Sequence, residues 1–350
     1  MPVPTKNRTG AASLFFGRQP VPLKKRLFSF FTLLFILVLM PLIIGFFMVA
    51  QPSNGQSPPS TIKVKPADLE AHVQKLSTEF FPRTPYENKN LQQTANYVLE
   101  QFKKTGARTK EQHFSTSTTV DPNAKFRNVS AFFGPDKGPR IVIGAHYDSY
   151  GNLPGADDNA SGVAGLIELA KLFAAHPPST MIELVSYPLE EPPFFATSKM
   201  GSAFHARALK KAKVEVKLMI CLEMIGYFTD QPKSQRYPNK ALQLYYPSVG
   251  NFIAIASTFD YRKQTLAMKK AMSGVTPLPV ESINAPRGLP GIDFSDHRNY
   301  WTYGYPAVMI TDTSFYRNPH YHKKTDTPET LDYKKMSQVV IAVFEAARKF

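Results

Sequence analysis

The stretch that decides the fold runs from residue 138 to residue 176 and reads GPRIVIGAHYDSYGNLPGADDNASGVAGLIELAKLFAAH. Its first part contains the apolar run RIVIGA, which predicts a buried strand. Its last part, ASGVAGLIELAKLFAAH, repeats apolar residues at helical spacing and predicts a long helix. A buried strand followed by a helix is the building unit of a parallel sheet covered by helices.

The chain continues this alternation from about residue 62 to its end. Further strands are predicted for FRNVSAFFG (126–134), MIELVSYPL (181–189), KLMICLEMIGYF (217–228), ALQLYYP (241–247) and PAVMITDT (306–313). Further helices are predicted for residues 84–106, 199–212, 251–272 and 331–350. This pattern predicts an α/β fold with three layers, α/β/α, in which helices cover both faces of a mixed, mostly parallel central sheet. One transmembrane helix precedes it.

That transmembrane helix is predicted for residues 27–50, which contain no charged side chain. As a helix, 24 residues span about 36 Å, enough for a hydrocarbon core of about 30 Å. The apolar run is longer than that of a typical signal peptide, and MVA is a poor cleavage site, so an uncleaved anchor is favoured over a cleaved signal. Both alternatives stay open.

The same segment predicts the organisation of the chain. Residues 1–26 form a basic cytoplasmic tail, because Lys24, Lys25 and Arg26 directly precede the apolar run and such clusters stay in the cytoplasm. Residues 51–61 read as a Pro/Ser/Gly linker, and a folded domain follows over 62–350. That domain is expected in the periplasm or another extracytoplasmic space, or secreted if the segment is cleaved.

Charge and cysteine content exclude two classes of function. The formal charge is +15, but residues 1–50 hold six Lys and Arg and no acid. The remaining basic residues are not combined with aromatic residues in a recognisable module, so no nucleic-acid partner is predicted. Cys221 is the single cysteine, which excludes an intrachain disulfide and a cysteine-rich zinc module.

Acids and histidines follow the predicted strands. Each group stands where a strand ends or shortly after it: His146 and Asp148, Asp157 and Asp158, Glu190 and Glu191, Glu223, and His320 and His322. The carboxyl ends of parallel strands meet at one edge of a sheet, where sites of α/β proteins lie. So many carboxylates would repel one another, and one or two divalent cations would compensate their charge. Histidine with carboxylates favours zinc, with manganese or cobalt as alternatives.

Two features of these groups indicate chemistry. Strand alternation places His146 and Asp148 on the same face. Adjacent carboxylates at Glu190 and Glu191 point in different directions, so one can bind metal while the other acts as a general base.

At these residues the chain resembles a family of co-catalytic zinc exopeptidases. The family includes bacterial leucyl aminopeptidases, glutamate carboxypeptidase II, the transferrin receptor ectodomain and glutaminyl cyclases. The similar strings are GAHYDS, PGADDNASGVAGLIELA, LEE…GS, CLEMIGY, SDHRNYW and RNPHYHKKTDTPETLDY, which lie between about residue 90 and residue 350. The resemblance implies a peptide substrate and a zinc cofactor, with two ions expected and one possible.

The resemblance also implies a metal-binding role for each of five residues. Asp158 corresponds to the carboxylate that bridges two zinc ions. His146 and Glu223 correspond to the other ligands of one ion, and Glu191 and His322 to those of the second.

Further roles are implied for residues around the metals. Glu190 corresponds to the general base, and Asp148 to the acid that orients the metal-binding histidine. His322 is chosen over His320 because the family pattern places DT four residues after the ligand. The roles of His320 and of Asp296 and His297 in SDH stay open, and Asp157 and Asp326 are expected in turns or caps.

The most favoured activity is removal of amino-terminal residues from peptides by an activated water. Alternatives are glutaminyl cyclisation, a non-catalytic receptor-like ectodomain, and a carboxypeptidase that uses Arg287, Arg298 or Arg317. The segment PPFFATSKM, residues 192–200, either shapes a substrate pocket or is a packed loop. Neither the oligomeric state nor the physiological peptide is predicted.

Overall fold

The computed structural model describes residues 1–2, 21–52, 55–119 and 121–350. It divides into two compact units, Met1–Gly45 and Phe46–Phe350. Most of the predicted cytoplasmic tail, residues 3–20, lies outside the described residues. The second unit begins at Phe46, before the predicted linker, and Gln51 is already buried. The remaining domain boundaries stay a prediction.

The helix near the N-terminus is 27 residues long, from Leu23 to Val49. It consists of α1 (Leu23–Leu34), a π-helical turn (Phe35–Leu39) and α2 (Met40–Val49). By length and composition it can cross a membrane, as predicted, and a signal sequence would pass the same test.

Eight strands of the described chain form one mixed sheet. They are β1 (Arg108–Thr116), β2 (Ala124–Phe133), β3 (Arg140–His146), β4 (Met181–Tyr187), β5 (Val216–Leu222), β6 (Ile253–Ser257), β7 (Val280–Asn284) and β8 (Ala307–Thr311). Their order in the sheet is β1-β2-β4-β3-β5-β8-β6-β7. The central strands β4, β3, β5 and β8 are mutually parallel, so their carboxyl ends meet at one edge.

Helices cover both faces of this sheet. They are α3 (Pro66–Gln74), α4 (Asn88–Lys104), α5 (Gly162–Ala175), α6 (Gly201–Lys211), α7 (Arg262–Met272), α8 (His297–Thr302) and α9 (Tyr333–Ala347). Helices α3, α4, α5, α7 and α9 pack on one face, and α6 and α8 on the other. The predicted three-layer α/β/α fold is therefore confirmed.

Strand alternation divides the apolar residues between two cores. In β3, Ile141 and Ile143 pack into the larger core under α5 and α9, whereas Val142 packs into the core under α6 and α8. Both faces are covered, so neither β3 nor β4 shows an alternation of apolar and exposed polar residues, and β4 is buried at every position.

Two predicted elements were wrong. Residues 241–247 form no strand: Lys240–Leu244 is a 3₁₀ helix, capped by the side chain of Asn239. The predicted helix 251–272 begins only at Arg262, because Ile253–Ser257 is the buried strand β6. Its apolar run is short and buried at every position, a pattern that periodicity alone cannot assign to helix or strand.

The strands β1 and β7 and the helices α3 and α8 were missed; α8 has only six residues. β1 and β7 are edge strands with polar residues, RTKEQHFST and VESIN, and α3 is a short helix of nine residues. These segments owe their structure to pairing and packing rather than to a strong periodic pattern.

A series of hydrogen-bonded polar side chains is buried in the core under α6. Glu183 on β4 accepts hydrogen bonds from Arg140 Nη1 at 2.8 Å and pairs with His205 Nε2 at 2.9 Å. The other ring nitrogen of His205 lies 2.6 Å from the Tyr300 hydroxyl. Burial opposes ionisation of Glu183, but the charges and hydrogen bonds of His205 and Arg140 outweigh it and lower the pKa to about 2.

The Glu183→Gln variant is expected to lose part of the acid dependence of stability. The folded-state pKa of Glu183 lies below the unfolded value of about 4.3, so its charge stabilises the fold above that pH. This contribution disappears as the pH falls toward about 2. Urea unfolding of both proteins should show a gap in unfolding free energy that shrinks with falling pH. Glu100→Gln, at an exposed position of α4, is the control and should show no such gap.

Candidate active site

The predicted ligand residues lie at the carboxyl ends of the central strands. His146 is the last residue of β3, and Glu223 directly follows β5. Glu191 lies four residues beyond the end of β4, Asp158 between β3 and α5, and His322 in the loop after β8. Because these strands are parallel, the sheet brings residues from five chain segments to one place.

The side chains form two groups that share Asp158. In the first, His146 Nε2 lies 3.4 Å from Asp158 Oδ1 and 3.3 Å from Glu223 Oε2. In the second, His322 Nε2 lies 3.2 Å from Asp158 Oδ2 and 3.4 Å from Glu191 Oε2. Within each group the ligand atoms lie within 4.8 Å of one another. One oxygen of Asp158 therefore faces each group.

This arrangement fits two metal ions. The Nε2 atom of His146 is buried and has no hydrogen-bond partner among the described residues. Glu191 Oε1 is buried without a partner as well. Two imidazole nitrogens and three carboxylates, without a thiolate, form a donor set that suits zinc.

The shifted pKa values of the site residues also favour a bound cation. Burial, together with the charge of Asp158, raises the pKa of Glu191 to about 8. Burial lowers the pKa of His322, but its hydrogen bonds to Asp158 and Glu191 outweigh this and raise it to about 10. A bound divalent cation would supply the positive charge that otherwise comes from protons on these groups.

Asp148 connects the histidine to the neighbouring glutamates. Its Oδ1 lies 3.3 Å from His146 Nδ1. Its two oxygens also accept hydrogen bonds from the backbone amides of Glu190, at 3.2 Å, and Glu191, at 3.0 Å. One buried carboxylate thus orients the ring of His146 and fixes the backbone of both glutamates, an arrangement typical of metal-binding histidines.

Glu190 lies beside the metal groups but belongs to neither. Its Oε2 is 4.0 Å from His146 Nε2, and its side chain lines the adjoining cavity. Burial and the charge of Glu191 raise the pKa of Glu190 well above its usual value, against the opposing charge of His146.

Sequence reasoning missed the residues that hold the ligands. Ser295 donates a hydrogen bond of 2.6 Å to Glu223 Oε2 and lies 3.2 Å from the Sγ of Cys221. Cys221 itself is packed in the core under α6. The SDH motif, which contains Ser295, was noted, but its serine was not.

The ring of His322 lies between two tyrosines. Tyr150 stacks on it at 4.0 Å between ring centroids, and Tyr321 at 3.8 Å. His320 is placed elsewhere: its Nδ1 lies 2.9 Å from the Thr325 hydroxyl. The structure therefore brings His322, and not His320, to the metal groups.

Three further acids and histidines have positions outside the metal groups. Asp326 accepts hydrogen bonds from the backbone amides of Asp157 and Asp158, and Asp157 accepts one from the amide of Gly226. His297 Nε2 lies 2.8 Å from the carbonyl of Ile292, and burial lowers its pKa to about 4. Asp157 and Asp326 were expected in turns or caps; their carboxylates instead bind backbone amides of distant segments.

Arg83 was missed although it holds both ends of the loop between His146 and Asp158. It is fully buried, and its guanidinium donates to the carbonyl oxygens of Tyr147, at 3.0 Å, and Gly155, at 2.8 Å. It also donates to Leu76 and Pro154. Both ends of the loop that joins His146 to Asp158 are therefore held by one side chain.

The Arg83→Met variant is expected to lower the free energy of unfolding by roughly 3–5 kcal/mol, because buried carbonyl oxygens lose their donors. Chemical denaturation measures this loss. Arg108→Met is the matched control: Arg108 is half exposed and pairs with exposed Asp136 at 3.1 Å, so less than about 1 kcal/mol is expected. Equal losses in both variants would contradict the role of Arg83.

A cavity of about 250 Å³ adjoins the metal groups. Its wall is mostly apolar and aromatic and includes Pro192 and Phe195 of the 192–200 segment. This supports the pocket alternative for part of that segment, whereas Phe194 is buried in the core. The wall also contains Leu289, Pro290 and Ile292, from the segment before the SDH motif.

The three arginines considered for a carboxypeptidase do not line this cavity. Arg317 is buried and donates to Gln235 and to the carbonyl of Phe252. Arg298 pairs with Asp293 at 3.2 Å, and Arg287 lies over the ring of Trp301.

Comparison with known proteins is consistent with this site. The chain matches the model of Peptidase family M28 over residues 128–347. The uncharacterized protein YfbL of Escherichia coli is 44% identical over 329 residues, covering 92% of this chain and 98% of that protein. Leucine aminopeptidase 1 of Ajellomyces capsulatus is 25% identical over 327 residues, covering 84% of this chain and 78% of that protein.

A solved structure shows the same fold. The crystal structure of Bacteroides thetaiotaomicron glutaminyl cyclase bound to N-acetylhistamine has a TM-score of 0.65 and 17% identity, and the match covers 83% of this chain and all of that one. The family match spans more than half of the chain and includes the strands that carry the metal groups. The chain therefore belongs to Peptidase family M28 and is a zinc metallopeptidase.

Proposed function

We propose that the protein is an aminopeptidase that removes apolar amino-terminal residues from peptides. The side chains that line the cavity next to the metal groups carry this proposal. A terminal carboxylate is typically bound by arginine, but among the described residues the one arginine that lines the cavity is Arg236, which donates to the carbonyl of Phe315. The remaining wall is mostly apolar apart from the acids of the metal groups, Glu190 and Glu281, which favours a peptide N-terminus over a carboxyl end.

Two zinc ions are proposed, one held by His146, Asp158 and Glu223 and the other by Asp158, Glu191 and His322. Zinc bound there would polarise the scissile carbonyl and lower the pKa of an attacking water. The Oδ1 and Oδ2 atoms of Asp158 face different histidines, which supports the bridging role.

Glu190 takes the proton of the attacking water and passes it to the leaving amine. Asp148 positions both partners, because it contacts His146 and the backbone of Glu190. The aromatic side chains of the cavity favour a large apolar substrate side chain, which excludes water from the reaction.

A panel of peptides blocked at either end tests this function. The purified protein should release residues from peptides with a free amino group and an amidated carboxyl end. It should not act on acetylated peptides with a free carboxyl end. The reverse preference would establish the carboxypeptidase. Loss of ammonia from glutaminyl peptides without chain cleavage would establish the cyclase, and a purified protein without metal or turnover would support the receptor-like alternative.

We also propose that residues 27–50 are retained as a single-pass anchor, with the catalytic unit in the periplasm or another extracytoplasmic space. The hydrogen bonds of Ala50 and Gln51 within the catalytic unit support retention, because cleavage at MVA would cut next to them. Mass spectrometry of the protein purified from membranes tests this. An N-terminus at residue 51 would contradict the anchor.

A further inference from the structure

The chain that follows the membrane-spanning helix is fixed at the β7 edge of the catalytic unit. The side-chain amide of Gln51 donates to Asn284 Oδ1 and to the carbonyl of Arg262. The carbonyl of Ala50 accepts hydrogen bonds from Ser282 Oγ at 3.1 Å and from Lys269 Nζ at 3.2 Å. Both residues are buried. The catalytic unit, Phe46–Phe350, thus forms hydrogen bonds with the end of the proposed anchor at a defined place on its surface.

Apolar side chains are exposed around this place. Phe46 contacts the ring of Tyr245 at 5.6 Å, which puts the 3₁₀ helix Lys240–Leu244 next to the end of the anchor. Leu244 is 73% exposed and Phe47 is 54% exposed. On the other side, Arg262 donates to the carbonyl of Phe47, and Leu266 is exposed one turn further along α7.

Positive charge accompanies these apolar residues. Arg262, Lys263 and Lys270 of α7 are partly or fully exposed, as is Lys240. Helix α7 contains no acidic residue. We refer to Phe47, Leu244 and Leu266, with Arg262, Lys263 and Lys240, as the anchor-side surface.

We propose that the anchor-side surface lies on the bilayer and inserts Leu244 and Leu266 into the lipid interface. This inference rests on the proposed anchor. The membrane-spanning helix ends at Val49, and residues 50 and 51 are already hydrogen-bonded to the catalytic unit. Because no chain separates the two, the surface around residues 50 and 51 is close to the lipid. Exposed apolar side chains with basic residues beside them are typical of a surface that binds anionic lipid headgroups.

The anchor-side surface lies next to the catalytic cavity. The segment 240–246 has two sides: Leu244 is exposed, whereas Leu242 and Tyr246 line the cavity at the metal groups. Strand β7 likewise supplies Ser282, which contacts Ala50 and lines the cavity. The proposal therefore places the catalytic cavity behind segment 240–246 and strand β7, on their side away from the membrane surface.

Depth-dependent fluorescence quenching in the full-length protein tests this inference. Cys221 is buried and is the single native cysteine, so a fluorophore can be attached selectively to Leu244→Cys or Leu266→Cys. Lys110→Cys is the control, because β1 is the opposite edge strand of the sheet and Lys110 is exposed. Each labelled protein is reconstituted into vesicles of phosphatidylcholine and phosphatidylglycerol that contain nitroxide-labelled lipid.

The expected result is a blue shift and loss of emission for the labels at Leu244 and Leu266, with the label at Lys110 unchanged. Release of an apolar amino-terminal residue confirms that each variant is folded. Unchanged emission at all three positions, in protein that remains with the vesicles after alkaline extraction, overturns this inference alone. Protein that is extracted at alkaline pH refutes the anchor and this inference with it, while the aminopeptidase assay stands independently.

Discussion

Turnover of the Glu190→Gln variant is expected to fall by about 10²- to 10⁴-fold, because a positioned general base contributes about that much. Glutamine keeps the shape of the side chain but cannot accept the proton of the attacking water. Metal content should stay at the wild-type level, since the Oε2 of Glu190 is 4.0 Å from His146 Nε2 and the residue belongs to neither metal group. Steady-state kinetics and elemental analysis of one preparation measure both quantities.

The neighbouring residue provides the matched control. Glu191→Gln changes the same chemical group one position along, but its Oε2 lies 3.4 Å from His322 Nε2. This variant should therefore lose metal as well as activity. A Glu190→Gln protein with near-normal turnover, or one that has lost its metal, would contradict the assignment of the general base.

Replacement of Asp158 by alanine is expected to abolish activity and to remove bound metal from both groups. Asp158 is the one residue common to the two groups, with an oxygen 3.4 Å from His146 Nε2 and another 3.2 Å from His322 Nε2. Without it, each group keeps a single histidine and a single glutamate. Elemental analysis after dialysis should show near-complete loss of zinc, since structural and catalytic zinc sites use three or four protein ligands.

Two histidine variants determine whether the metal groups are separate. His322→Ala removes a ligand from the second group only, so metal should be lost from that group and retained at His146. His320→Ala is the control, because its Nδ1 contacts Thr325 rather than a metal group. Equal metal content in the His322→Ala and wild-type proteins would contradict the assignment of His322 as a ligand. Loss of metal in His320→Ala would contradict the choice of His322 over His320.

Two residues near the metal groups have a positive φ. They are Leu189, directly before Glu190 and Glu191, with a φ of 65°, and His322, with a φ of 52°. Positive φ is unfavourable for both residue types and is retained where surrounding contacts impose it, commonly at functional sites. At Leu189, these contacts include the hydrogen bonds that the amides of Glu190 and Glu191 donate to Asp148.

The three-layer fold could be predicted from the sequence alone. The metal ligands named from the sequence stay a prediction, and the structure places their side chains in two groups. His146 and Glu223 directly end or follow apolar strands, and in a parallel sheet such positions meet at one edge whatever the distance along the chain. The family motifs then distinguished Asp158 from Asp157 and His322 from His320. Both choices agree with the geometry, in which Asp157 and His320 bond elsewhere.

Local pattern failed where packing determines the conformation. Residues 241–247 are apolar enough for a strand, yet they have no neighbouring strand and form a 3₁₀ helix with Leu244 exposed. Residues 253–257 were predicted as helix and instead form β6 between β8 and β7. A short apolar run is compatible with either conformation until its neighbours are present.

What the amino-acid sequence determined by itself was the strands β2 to β5 and β8, the helices α4, α5, α6 and α9, and the acids and histidines that follow those strands, because periodicity and strand ends are local properties. The tertiary structure alone decided which residues support those ligands. Ser295 reaches Glu223 across 72 residues, and Arg83 reaches Gly155 across 72 residues as well. Such hydrogen bonds depend on how separate segments approach in space, and no spacing along the chain encodes them.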